Sequence, residues 1–316
     1  MKDHERPTAR LTRRSDDFTD DRTALLVLDG PSRSGKGETG KALRTASEAC
    51  GLSAIEVVNG LNFRAMAKAA IAEGCNPDSR LLESFIEAPS TRELMLGYLS
   101  VSSGMSPQEL DAYFYTPEIS SLSGRVGAIA SAHTTATEIL RSRVESASKD
   151  DVDVVIIDGR AMGPYAREFE RDGLGRFVMS WYLKCDPAVA ARRNLKLFAP
   201  IDELSPEDQL KLLRDTFNTS DRNRSDTLRE VDPLKEPTYA YVLDLLGYTP
   251  EGYNLTPYAR SNIIAQRHSR EAMADTSYTT KVEQMTEPIV DITMFALYHA
   301  GLLGYRDMHL SIVPAA

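Results

Sequence analysis

The stretch TALLVLDGPSRSGKGETGKAL, Thr23–Leu43, reads as strand, tight loop and helix in immediate succession. Thr23–Asp29 is a short apolar run of the kind that forms a strand buried on both faces, and Gly30-Pro31 ends it. From Gly40 onward the pattern is helical. Between them lies Gly30-Pro31-Ser32-Arg33-Ser34-Gly35-Lys36-Gly37. The glycines let the backbone curl until successive N–H groups point inward. The helix that opens at the loop's end adds its positive dipole end, and Lys36 is spaced to reach the β and γ phosphates of a triphosphate. The plainer reading is a glycine turn with no ligand. The order strand, loop, helix at the first strand of the chain favours a phosphate site, with Gly30 to Glu38 as its contacts.

Working outward, the same strand-then-glycine pattern returns. Ala54–Val58 ends at Asn59-Gly60, Val152–Asp158 is closed by Gly159, and Phe177–Lys184 leads to Asp186, an N-cap with Pro187 at the first helical position. Short apolar strands alternating with helices predict a parallel sheet flanked by helices, an α/β fold. Residues 60 to about 148 are mostly helical in pattern. Residues 238–272, rich in Tyr, Pro, Asn and Arg, show no clear periodicity, and residues 1–21 read as a mobile, charged arm.

The 316 residues are 42% hydrophobic and 26% charged, ordinary soluble usage, with a net charge of -9. That balance argues against a non-specific nucleic-acid binder, which needs a basic surface to displace counterions. It leaves small-molecule phosphates as partners, provided basic residues gather locally. Cys50, Cys75 and Cys185 have no metal spacing and read as buried free thiols of a reducing compartment. Met1–Asp21 lacks the apolar segment of a secretory signal, and no run approaches the roughly 18 apolar residues of a membrane helix. The expectation is a cytoplasmic monomer. His4, His268, His299 and His309 read as structural or exposed, and His133 is set apart below.

Several segments line up in order with one family. LLVLDGPSRSGKGETGKAL resembles the phosphate loop of the cytidylate kinases, DGPSGSGKGT. VVNGLNFRAMAKAAI (Val57–Ile71) resembles the family's LDTGAMYRALALAA, and TPEISSLSGRVGAIAS (Thr116–Ser131) its TPEV helix. IDGRAMG (Ile157–Gly163) is similar to DGRDMG, and LKCDPAVAARR (Leu183–Arg193) to the strand followed by SPEERARRR. SDRNR (Ser220–Arg224) matches DRNR, DPLKEP (Asp232–Pro237) resembles APLKPA, and ADTSYTTKVEQM (Ala274–Met285) resembles the segment before the last helix. The likeness covers roughly residues 24–237 and 273–300.

The resemblance implies a P-loop NTPase fold with a helical insert that binds the nucleoside monophosphate and a lid. It divides the chain into an arm at 1–21 and one kinase unit at 22–316. Within that unit it implies a core at 22–60 and 150–205, an acceptor region at 61–149 and a lid at 214–237. An unassigned insertion at 238–272 and a C-terminal strand and helix at 273–316 complete it. The implied activity is transfer of the γ-phosphoryl group of ATP, with Mg²⁺, to CMP or dCMP. Lys36, Arg160, Arg222 and Arg224 carry the catalysis in this scheme. Asn59, Gly60, Phe63, Arg64, His133, Asp158, Arg160, Asp221 and Arg224 bind the acceptor, and Asp158 is placed to hold Mg²⁺ through water.

Four departures stand beside the matches. Glu38 occupies a position where the family has Thr, with Thr39 one place later to supply a hydroxyl. Arg33 replaces a mid-loop glycine. Arg214-Asp215 stands near, but out of register with, a family lid arginine. The positions that read cytosine are Ala161, His133 and Gly124 or Ser123, with Arg125 close by, so base selectivity is expected to be loosened or changed. Besides an active monophosphate kinase, two readings stay open: a non-catalytic nucleotide-binding module, favoured by Glu38, and a kinase for another small molecule.

Overall fold

A computed structural model describes residues 22–75, 79–197, 199–227, 241–244, 262–266, 289–294 and 296–297. The arm at 1–21, the DPLKEP segment with the rest of the lid at 228–237, and the ADTSYTTKVEQM segment lie outside these residues. In chain order the elements are β1 (Ala24–Asp29), α1 (Lys36–Ala49), β2 (Ala54–Val58), α2 (Asn59–Ala72), α3 (Ser79–Glu87), α4 (Pro89–Ser102), α5 (Pro107–Phe114), α6 (Pro117–Val126) and α7 (Ala130–Lys149). There follow β3 (Val154–Asp158), α8 (Gly163–Arg171), β4 (Arg176–Leu183), α9 (Pro187–Leu195), α10 (Pro206–Thr227), β5 (Tyr241–Asp244) and β6 (Asn262–Gln266). The chain forms two compact units, Met1–Glu56 with Ala147–Ala316, and Val57–Ser146.

The first unit is built on a six-stranded sheet of order β2-β3-β1-β4-β6-β5, in which β3, β1, β4, β6 and β5 run parallel. The α/β expectation is met, and the four predicted strands lie within a residue or two of their expected places. β1 and β3 are buried at every position, which is why their sequences are continuous apolar runs rather than alternating ones. Leu26, Leu28 and Ile156 from these strands share a core with Leu43, Trp181, Ile289, Ile292 and Leu297. Trp181 is fully buried, and its indole N–H donates to Thr293 Oγ1 at 2.9 Å, so the largest core side chain has its polar atom satisfied. The stretch 238–272, left unassigned by the sequence, supplies β5 and β6. Each is only a four- or five-residue apolar run, too short to carry a period of its own. The first part of the expected lid is helix, since α10 runs unbroken through Arg214 and SDRNR to Thr227 and packs on α9.

The second unit is helical. α2 is its axis, packed by α3, α4, α5 and α6. Its buried Ala65, Ala67, Ala69 and Ala70 are small enough to let those helices approach, and Met66, Met95, Phe114 and Val126 fill the space between. Two entries into helices are fixed locally. Ser106 and Glu109 form a reciprocal capping box on α5, and the Thr116 hydroxyl accepts from Ile119 N–H on α6, each followed by proline at the first helical position.

Candidate phosphate-binding site

β1 ends at Asp29 and the chain turns at once through Gly30, whose φ is +146°. A Cβ there would sit 2.6 Å from the carbonyl oxygen of Leu183 on β4, so only glycine lets the loop lie this close to the sheet. Gly35, with φ +100°, opens α1 and brings no side-chain cap to its first turn. Helix N-terminal N–H groups without a side-chain acceptor are what an anion needs. Pro31 and Ser32 are half-buried in the loop. Ser34 Oγ is buried and has no hydrogen-bond partner among the described residues, a polar atom that fits a liganded loop better than a bare turn.

Lys36 Nζ bends back over the loop and donates to Gly30 O at 3.0 Å and Pro31 O at 2.8 Å, with Asp158 Oδ1 at 3.9 Å. Burial holds the lysine below its ordinary pKa; Asp158 and Asp29 push it back up, while Arg160 and Arg222 press it down. Asp158, Arg160 and Arg222, all predicted from the sequence, therefore lie within electrostatic reach of Lys36, and Asp158 also within reach of Arg160. Burial likewise raises Asp158, opposed by Lys36 and Arg160.

Sequence reasoning gave no role to Asp29. It is fully buried, and its carboxylate accepts from Met162 N–H at 2.9 and 2.8 Å and from Gly163 N–H at 3.1 Å. It therefore ties the end of β1, where the loop begins, to the Arg160–Gly163 turn that opens α8. Burial pushes it up to about 7, against those two N–H groups and the Lys36 charge. Its signal was an acid at the end of an apolar strand directly before the loop glycine. Glu56 on β2 was also missed. Its carboxylate lies against α1 at Gly40, where a Cβ would sit 2.5 Å from Oε1, and burial raises it to about 7, with Asp158 adding to the effect.

Glu38 is exposed and pairs with Lys41 at 3.0 Å, so its charge is turned to solvent. Gly37 is exposed beside it, and Thr39 is buried in the next turn of α1. Arg33 takes φ 64°, and its guanidinium meets Asp215 Oδ2 of α10 at 2.5 Å. Asp221 and Arg224 are exposed on α10 and Arg222 is half-buried there. Ala161 lies half-buried in the turn before α8. The three cysteines are free and half-buried rather than fully buried.

In the helical unit Arg64 is 9% exposed. It donates to Phe114 O and Ser120 Oγ, both at 3.0 Å, and lies 4.0 Å from the centre of the Tyr115 ring. Asn59 and Gly60 form the first turn of α2, with Asn59 Oδ1 accepting from the buried Asn62 at 3.0 Å. Phe63 meets His133 edge-on at 5.0 Å, and His133 Nε2 is 2.7 Å from Gly127 O. Phe63 and His133 are thus neighbours. Ser123 Oγ donates to Ser120 O within α6, while Gly124 and Arg125 are exposed. Among the described residues no group of three or more metal-ligating side chains converges, and no helix is long and apolar enough to cross a membrane.

No protein-family model matches this chain, and no curated protein matches it. Among solved structures, a gluconokinase from Sinorhizobium meliloti 1021 is similar at 13% identity over 89% of this chain and 99% of that one, with a TM-score of 0.27. At that score the likeness bears no weight, and fold and site rest on the geometry above.

Proposed function

We propose that this protein is a nucleoside monophosphate kinase, a cytoplasmic monomer that transfers the γ-phosphoryl group of ATP to CMP or dCMP. The observation that carries this reading is the loop from Gly30 to Lys36: two positive-φ glycines, an uncapped helix start and a desolvated lysine beside Arg160 and Arg222. In the reaction an oxygen of the acceptor phosphate bonds to the γ-phosphorus, the bond to the bridging oxygen breaks, and ADP leaves. Such a transfer needs little covalent help, and positive charge around the moving phosphoryl lowers its barrier. Lys36 and the loop N–H groups hold the donor phosphates, and Arg160, Arg222 and Arg224 supply the remaining charge. Asp158 is the residue that would hold Mg²⁺ through its waters, and the ion would supply neutralising charge to the ATP phosphates.

For the acceptor, the family resemblance assigns Asn59, Gly60, Phe63, Arg64 and His133 within the helical unit, and Arg160 and Asp221 within the sheet unit. Asp158, two residues before Arg160, completes this set. The outward pairing of Glu38 with Lys41 supports this reading over a non-catalytic module, since it turns the carboxylate to solvent. The reading is tested by assaying ADP release with CMP, dCMP, UMP, AMP and GMP, in wild type and Ala161→Asp. CMP and dCMP are expected to lead, by less than about a hundredfold over UMP, and the substitution to widen the gap, because each hydrogen bond to a charged group is worth roughly 1.5–3 kcal/mol. Absence of monophosphate-dependent ADP release would overturn the proposal.

A further inference from the structure

Three non-glycine residues among those described have positive φ: Arg33, Asp151 and Lys196. Asp151 sits in a turn and Lys196 caps the end of α9, places where left-handed backbone is common. Arg33, at φ 64°, lies inside the phosphate loop, a position where glycine would be unstrained. Strain kept at a ligand loop points to a use for the side chain that bears it. Its neighbours come from two helices. Asp215 Oδ2 of α10 accepts from Arg33 Nη1 at 2.5 Å and from Asn194 Nδ2 of α9 at 3.2 Å. Arg193 Nη1, also of α9, donates to the carbonyl of Arg33 at 3.4 Å. A planar guanidinium forks equally well onto a carboxylate and a phosphate. The Arg33 side chain is 37% exposed, so it is open to exchange.

We propose that Asp215 is the resting counter-ion of Arg33 and that the donor triphosphate displaces it, so that phosphate binding and release of α10 from the loop are one event. This rests on the phosphate-loop reading above. Its consequence is a competition: Asp215 lowers the apparent affinity for the donor by the fraction of molecules in which the pair is closed. Because α10 carries Arg222 and Arg224, the exchange also makes the lid arginines responsive to the donor rather than to the acceptor.

The experiment is calorimetric titration of the full chain with MgATP and with inorganic triphosphate, in wild type, Asp215→Asn, Arg33→Gly and Lys36→Ala, with hydrogen exchange followed along α10. Asp215→Asn is expected to tighten binding by about three- to tenfold. Arg33→Gly is expected to weaken it by about 10–100-fold, the loss of a charge-assisted pair, while its melting temperature rises because glycine fits the backbone. MgATP should speed exchange around Asp215 in wild type and leave it unchanged in Asp215→Asn. If Arg33→Gly binds within about twofold of wild type while Lys36→Ala has lost binding, the phosphate loop stands and the role of Arg33 falls. If Asp215→Asn fails to tighten binding, the exchange is overturned. If Lys36→Ala binds as wild type does, the loop reading falls and this proposal with it.

Discussion

In the phosphate loop, Lys36 rests on the carbonyls of Gly30 and Pro31 and Arg33 on a single carboxylate, all groups that a phosphate can replace. In the helical unit, Arg64 is buried, shared between Phe114 O and Ser120 Oγ, and covered by the Tyr115 ring. The first arrangement keeps cations ready at little structural cost. The second makes its arginine part of the fold, because a buried carbonyl and a half-buried hydroxyl would lose this donor without it. Function and stability should therefore separate on mutation in the loop and travel together at Arg64.

The largest effect is expected at Lys36→Ala. Phosphoryl transfer should fall by at least about 100-fold, on the scale of removing one preorganised charge donor, with the melting temperature little changed. Arg64→Ala should lose acceptor affinity and also about 1–3 kcal/mol of stability, read by chemical denaturation, since it strips a buried carbonyl and a half-buried hydroxyl of their donor. An Arg64→Ala protein as stable as wild type would break the comparison.

Glycines sharpen it further. Gly30→Ala places a Cβ 2.6 Å from Leu183 O on a backbone of φ +146°, and should cost about 1–3 kcal/mol of stability. At Gly60 nothing lies within 4 Å of a Cβ and φ is not positive. Gly60→Ala should leave stability unchanged or improve it by up to about 1 kcal/mol, alanine being the better helix former. If its acceptor KM rises all the same, the glycine serves the ligand and not the fold.

How legible each region was follows from the same physics. Loop geometry is written locally: Gly30 and Gly35 stand where the backbone needs positive φ, so strand, loop and helix were readable from consecutive residues. Asp29 was not, because its partners Met162 and Gly163 lie more than a hundred residues later and nothing near it announces them. Arg64 was singled out by motif, but its hold on Phe114 and Ser120 comes from helix packing that no local pattern encodes. Glu38 stands at the loop's end, and its i,i+3 spacing to Lys41 offers it a partner on the solvent side that the family motif does not announce. β5 and β6 escaped because strands of four or five residues carry too few residues for a period to emerge.

A further effect is one of pH, and it belongs to the sheet unit. Burial raises Asp29 from 3.8 and Glu56 from 4.5, both to about 7. The folded chain thus keeps protons that the unfolded chain releases between these values. Their contribution to stability is complete below about pH 4 and is lost as pH rises towards 7, at a rate of about 1.4 kcal/mol per unit for each group. Denaturation midpoints should fall between pH 5 and 7, and Glu56→Gln should flatten that slope. A slope unchanged in Glu56→Gln would place the titration elsewhere.

The central claim is that the Gly30–Lys36 loop delivers a phosphoryl group to a nucleoside monophosphate. The direct measurement is single-turnover transfer of the labelled γ-phosphoryl of ATP by the full chain, with Mg²⁺, in the presence of CMP, and again with Lys36→Ala. The account predicts label in CDP for wild type and none above background for the variant. Label that remains in ATP or appears only as inorganic phosphate in wild type, across CMP and the other monophosphates, would contradict it.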